Sequence, residues 1–151
     1  MRFRILTLLV AAAVFAATAA CDEALSSLTG PTPDLEPTFS SIQKEIFDTT
    51  DPSGRLACTT CHTSAGGRIP PAGLDLTAGT SYSRLVGVSS VERPGVLRVA
   101  AGDPGNSYMI HKLEGGPNIL GTRMPRGTGP YLEPGQMLVI RRWIELGAAN
   151  D

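Results

Sequence analysis

Apolar residues along this chain recur in short runs at helical spacing, and no segment alternates as a strand does. In residues 38–50, TFSSIQKEIFDTT, Phe39, Ile42 and Ile46 fall at i, i+3 and i+7 with Phe47 beside them. That is one apolar stripe on a short helix. TSYSRLVGV predicts a second short helix around Tyr82, Leu85 and Val86. GDPGNSYMIHKLEGG carries its own punctuation. Asp103 can cap, Pro104 suits a first turn, and Gly115 stops a helix on which Tyr108, Met109 and Leu113 face a core. The last helix, in EPGQMLVIRRWIELGAA, sets Met137, Ile140 and Ile144 on one face, with Trp143 beside them and Gly147 at its end. Between these helices lie SAGGRIPPAG and GTRMPRGTGPYL, too rich in Gly and Pro for regular structure. The expectation is an all-α fold of three to four short helices with long loops, a pattern that calls for something around which the loops pack.

The first 20 residues stand outside that fold. Arg2 and Arg4 precede an apolar run over residues 5–17, and small residues follow up to Cys21. The pattern is that of an export signal. The run is shorter than the ~20 residues a membrane-spanning helix needs, and no basic stop-transfer cluster follows. Thr18 to Cys21, TAAC, resembles the lipobox of bacterial lipoproteins, with Thr18 where an aliphatic residue is usual. Cys21 would then be the lipid-modified first residue. Cleavage at ATA, residues 17–19, is the competing reading and would leave Cys21 a free thiol, which is unusual in an exported protein. Residues 21–37 are polar and acidic with three prolines, a flexible linker. The domain expected to fold is 38–151.

Composition narrows the function classes. The chain has 13 basic and 14 acidic residues; without Arg2 and Arg4 the balance is 11 to 14, a net charge of −3. Such a balance offers no footprint for nucleic acid. Seventeen glycines, twelve prolines and only eight aromatic residues indicate loops around a thin core. Small domains of that kind depend on a covalent or metal-bound centre.

The candidate centre is Cys58-Thr59-Thr60-Cys61-His62, which fits C-x-x-C-H, the pattern of c-type haem attachment. Two thiols three residues apart on a helical turn can reach the two vinyl groups of one porphyrin. The adjacent histidine is then held beneath the iron as proximal ligand. Three other readings compete. A Cys58–Cys61 disulfide closes a loop too small to stabilise much. A thioredoxin-like dithiol needs a preceding apolar strand, and none is visible. A structural zinc site wants four ligands, and after Cys58, Cys61 and His62 only His111 is left unless Cys21 escapes lipidation.

Together with the helix ending in IF, the Met-Pro at 124–125 and the terminal IRRWIELGA, this motif resembles a small class I-like single-haem cytochrome c domain of exported bacterial proteins. The segments GLDL, LVGV, GDPGNSYMIHKL, RMP and IRRWI carry the likeness, which covers residues 38–149. The resemblance implies one covalent haem c among short helices, the first and last of them crossing, and one-electron transfer. It also implies a methionine ligand in the loop between the third and last helices. Met124 in GTRMPRG fits, and Pro125 biases it towards extended backbone. Met109 and Met137 fall on predicted core faces. His111, two positions beyond Met109, is expected at the surface, with bis-histidine ligation as the lesser option. Related cytochromes bond the proximal histidine to a proline carbonyl, for which Pro70 or Pro71 is available. Arg123, Arg126, Tyr131 and Trp143 could bond haem propionates, or be solvated or, for Trp143, packed in the core.

The expected function is therefore electron transfer by His62/Met124-ligated haem on the periplasmic side, anchored to a membrane by lipid at Cys21. Redox proteins or membrane electron-transport complexes would be its partners. A haem sensor with an open or labile sixth position is the alternative, and a colourless lipoprotein with a structural CxxC a third. A catalytic haem enzyme is disfavoured by the single motif, the little space for a distal pocket and the single spare histidine, His111.

Overall fold

The computed structural model describes residues 34–127 and 129–151. The export signal, Cys21 and most of the linker lie outside the described residues. Among the described residues the regular structure is helical, with no strand of more than one pair.

The first helix, α1, spans Phe39–Ile42 and widens into a π-helical turn over Gln43–Phe47, closed by Asp48 N–H donating to the Gln43 carbonyl. Thr38 Oγ1 accepts from Ser41 N–H as its N-cap. The predicted stripe is buried in full: Phe39, Ile42, Ile46 and Phe47 all lie in the core. Leu35, within the predicted linker, is buried with them, so the folded region begins upstream of residue 38.

The second helix, α2, spans Ser81–Leu85, and the third, α3, spans Tyr108–Glu114. Asp103 caps a short 3₁₀ turn, Pro104–Asn106, rather than α3 itself. The chain straightens at Ser107 before α3 starts, so the fully buried residue on α3 is Ile110. Met109 and Leu113 pack half-buried against the core.

The last helix, α4, spans Pro134–Glu145. Glu133 and Gln136 form a capping box, and Pro134 occupies the first turn, where its missing N–H costs nothing. Ile140, Trp143 and Ile144 are almost fully buried. Burying side chains of this size contributes ~1.5–3 kcal/mol each. Helices α1 and α4 meet through Phe39, whose ring centroid lies 5.4 Å from Trp143 and 5.1 Å from Tyr82. The Asp151 carboxylate adds a long-range cap, accepting from the N–H groups of Phe39 (2.6 Å) and Ser40 (3.3 Å). Among the described residues no helix is long and apolar enough to cross a membrane.

Candidate functional site

The C-x-x-C-H segment leaves α1 through a turn that fastens it back onto that helix. Asp51 opens the turn, and Gly54 (φ +88°) donates to the Asp51 carbonyl. The Asp51 carboxylate then accepts from the Arg55 backbone N–H and from Arg55 Nε at 2.9 Å. Arg55 is 1 % exposed, and its Nη1 donates to the Ile46 carbonyl on α1. Cys58 Sγ reaches the same carbonyl at 3.6 Å, and Thr59 Oγ1 donates to the Phe47 carbonyl at 3.1 Å. A buried ion pair so close to the motif fixes where Cys58 starts. Composition and spacing did not reveal it, although the i, i+4 placement of Asp51 and Arg55 was there to be read.

Cys58–Thr60 forms a 3₁₀ turn, and the N–H groups of Cys61 and His62 both donate to the Cys58 carbonyl (3.2 and 2.9 Å). Side chains at i and i+3 eclipse in such a turn, so the two thiols stand on one side of it. Both are free; Cys58 is half-buried and Cys61 exposed. Burial pushes the Cys58 thiol up to about 11, with the nearby Arg55 charge opposing.

His62 is half-buried, and its Nδ1 lies 3.1 Å from the Leu74 carbonyl oxygen. A carbonyl can only accept, so Nδ1 carries the proton and Nε2 presents its lone pair. Burial lowers the imidazole pKa, which favours the neutral form that binds metal. The acceptor is Leu74 rather than Pro70 or Pro71. Those two carbonyls are taken up inside the 3₁₀ turn Pro71–Gly73, by Gly73 N–H (2.9 Å) and Leu74 N–H (3.0 Å). The Ala72 carbonyl accepts from Arg98, and the Leu74 carbonyl is the one that meets the ring.

The loop from His62 to Leu76 is closed at its base. The His62 carbonyl accepts from Leu76 N–H at 2.9 Å, and the Asp75 carboxylate accepts from the amides and hydroxyls of Ser64 and Thr77. Arg98, 7 % exposed, donates from Nη2 to the Ala72 carbonyl and from Nη1 to the Arg84 carbonyl, both at 2.7 Å. It was not foreseen, because its partners are distant in sequence.

Met124 lies half-buried in the loop between α3 and α4, its N–H donating to the Lys112 carbonyl at 2.8 Å. Met109 and Met137 pack against the core as expected. His111 differs from expectation: it is half-buried, its Nε2 sits 2.7 Å from the Gly105 carbonyl oxygen, and its Nδ1 is buried without a partner. The 3₁₀ turn preceding α3 supplies the Gly105 carbonyl to the ring and covers part of it.

Of the four residues considered for propionate contacts, three are committed within the protein. Arg123 Nε donates to the Leu113 carbonyl at 2.6 Å and its guanidinium covers the Tyr131 ring at 3.8 Å. Tyr131 donates to the Gly127 carbonyl, and buried Trp143 to that of Ala149. Arg126 is exposed.

Among the described residues no group of three or more His, Cys, Asp or Glu side chains is arranged to hold a metal ion by itself. What the site offers is a pair of free thiols on one side of a turn and an imidazole nitrogen oriented by its other hydrogen bond. That donor set fits a covalently attached haem. No protein-family model, curated protein or solved structure matches this chain.

Proposed function

We propose that this protein carries one haem c, joined through Cys58 and Cys61, and transfers single electrons outside the cytoplasmic membrane. The observation that carries the reading is the His62 hydrogen bond to Leu74. It commits Nδ1 and leaves Nε2 to another partner, directly after the 3₁₀ turn that spaces the two free thiols three residues apart. Haem bound there would supply a one-electron iron couple.

Each residue then has a limited task. Cys58 and Cys61 would hold the haem covalently. His62 would bind its iron, with ring plane and tautomer set by Leu74. Met124 would be the other protein ligand; its thioether would favour the ferrous state and raise the reduction potential relative to two nitrogens. A filled sixth position also keeps small molecules from the iron, which suits an electron carrier. Cys21 would tie the chain to a membrane by lipid, with redox proteins or membrane complexes as partners.

The test is haem staining after denaturing electrophoresis, applied to the chain produced in a host that matures c-type cytochromes. A stained band that survives denaturation and is lost in Cys58→Ala/Cys61→Ala supports the reading. An unstained, colourless protein overturns it.

A further inference from the structure

The loop between α3 and α4 has no regular structure among its described residues, yet its backbone is held by side chains at one point above all. Leu120 N–H donates to Tyr108 Oη at 3.0 Å, and the Leu120 carbonyl accepts from Lys112 Nζ at 2.8 Å. Tyr108 and Lys112 sit one helical turn apart on α3. Both converge on one carboxylate oxygen: Tyr108 Oη donates to Glu92 Oε2 at 2.9 Å, and Lys112 Nζ pairs with it at 3.1 Å. The four residues close a ring of hydrogen bonds.

The ring does not exist to bury Leu120, whose side chain is 62 % exposed. Nor is it a surface pair of little consequence, since Lys112 is only 9 % exposed and Tyr108 only 4 %. Ordering irregular backbone costs conformational entropy, so fixing Leu120 on both its N–H and its carbonyl needs a return elsewhere. Four residues on is Met124, whose N–H is bonded to the Lys112 carbonyl. Lys112 thus holds the loop twice, by its side chain at Leu120 and by its backbone at Met124.

We propose that Glu92, Tyr108 and Lys112 are positioning residues that preset the Met124 loop, so that the thioether stays in place and the sixth position stays closed to external ligands. This rests on the haem reading above with Met124 as ligand. Without the clamp, the population with Met124 in place falls, and an incoming ligand gains access in proportion to the population lost.

The test uses the full-length, haem-loaded protein, with carbon monoxide as probe of the reduced form and the weak red-edge Met-to-iron absorption as probe of the oxidised form. Tyr108→Phe removes one neutral hydrogen bond and is expected to speed carbon monoxide binding roughly fivefold. Glu92→Gln weakens charge-assisted bonds and is expected to speed it roughly tenfold. Both weaken the red-edge band, whereas Lys112→Arg, which can make the same contacts, keeps rate and band close to the parent. Thr38→Ala, which uncaps α1, serves as a control for general destabilisation and leaves both readouts unchanged. Parent-like rates and bands in Tyr108→Phe and Glu92→Gln, alongside fast binding in Met124→Ala, overturn the clamp. Parent-like behaviour in Met124→Ala instead removes the ligand assignment, and the clamp with it. Hydrogen exchange in the unsubstituted protein gives a second reading: the Leu120 amide is protected together with that of Met124, and an unprotected Leu120 amide also overturns the proposal.

Discussion

The ring nitrogens of His62 divide the work at the site. Nδ1 is spent on Leu74, so Nε2 is the nitrogen that would meet iron in the proposed function, and the Met124 backbone is bonded to α3 through the Lys112 carbonyl. Replacing Met124 with Ala is expected to abolish the red-edge absorption of the oxidised protein while covalent haem is retained; a band that persists contradicts the assignment. Asp75 makes a separate prediction. Hydrogen bonds from the Ser64 hydroxyl above all, and from the Thr77 hydroxyl and amide, hold its carboxyl well below the ordinary value of 3.8. The folded state therefore binds this proton less readily than the unfolded chain does. The stability it contributes is fully present above pH 3.8 and is lost as the pH falls below that value. Urea midpoints measured across the acid range should fall less steeply for Asp75→Asn than for the parent. An equally steep fall would show that the His62–Leu76 loop is not latched by this carboxylate.

The short helices are legible because their cues are local. The stripe of Phe39, Ile42, Ile46 and Phe47, the apolar face of α4 and the Gly115 stop all depend on neighbours within a few residues. The C-x-x-C-H spacing is equally local, whereas Met124 becomes a candidate only through the family resemblance. What sequence did not disclose is the set of long-range bonds around the site. Leu74 is the acceptor, while the carbonyls of Pro70 and Pro71 accept from Gly73 and Leu74 N–H within a tight turn. His111 is half-buried because the 3₁₀ turn Pro104–Asn106 offers its ring the Gly105 carbonyl. Arg98 and the Glu92–Tyr108–Lys112 ring join segments whose proximity no periodicity encodes. Element stability can be tested at the junction of α1 and the C-terminal residue. Thr38→Ala and Asp151→Ala each remove acceptors for N-terminal amides of α1 and should cost about 1 kcal/mol, read from chemical denaturation. An unchanged midpoint in Asp151→Ala would remove this cap from the picture. Truncating Ile140, which is wholly buried, to Ala should cost about 2–5 kcal/mol, while the same change at exposed Leu138 should stay within about 0.5 kcal/mol.

At the scale of the molecule, α1, α4 and the aromatic contacts of Phe39 form a core onto which the C-x-x-C-H turn is fastened, with Cys58 packed against it, and long Pro- and Gly-rich loops connect the short helices. A thin core with long, well-bonded loops is the arrangement expected of a protein completed by a prosthetic group. The proposed electron transfer and the proposed redox partners both depend on that group being present. Haem staining after denaturing electrophoresis, on protein made in a host that matures c-type cytochromes, therefore decides most. A stained band from the parent chain, abolished by Cys58→Ala/Cys61→Ala, is the predicted result. A colourless parent band from that host would contradict it.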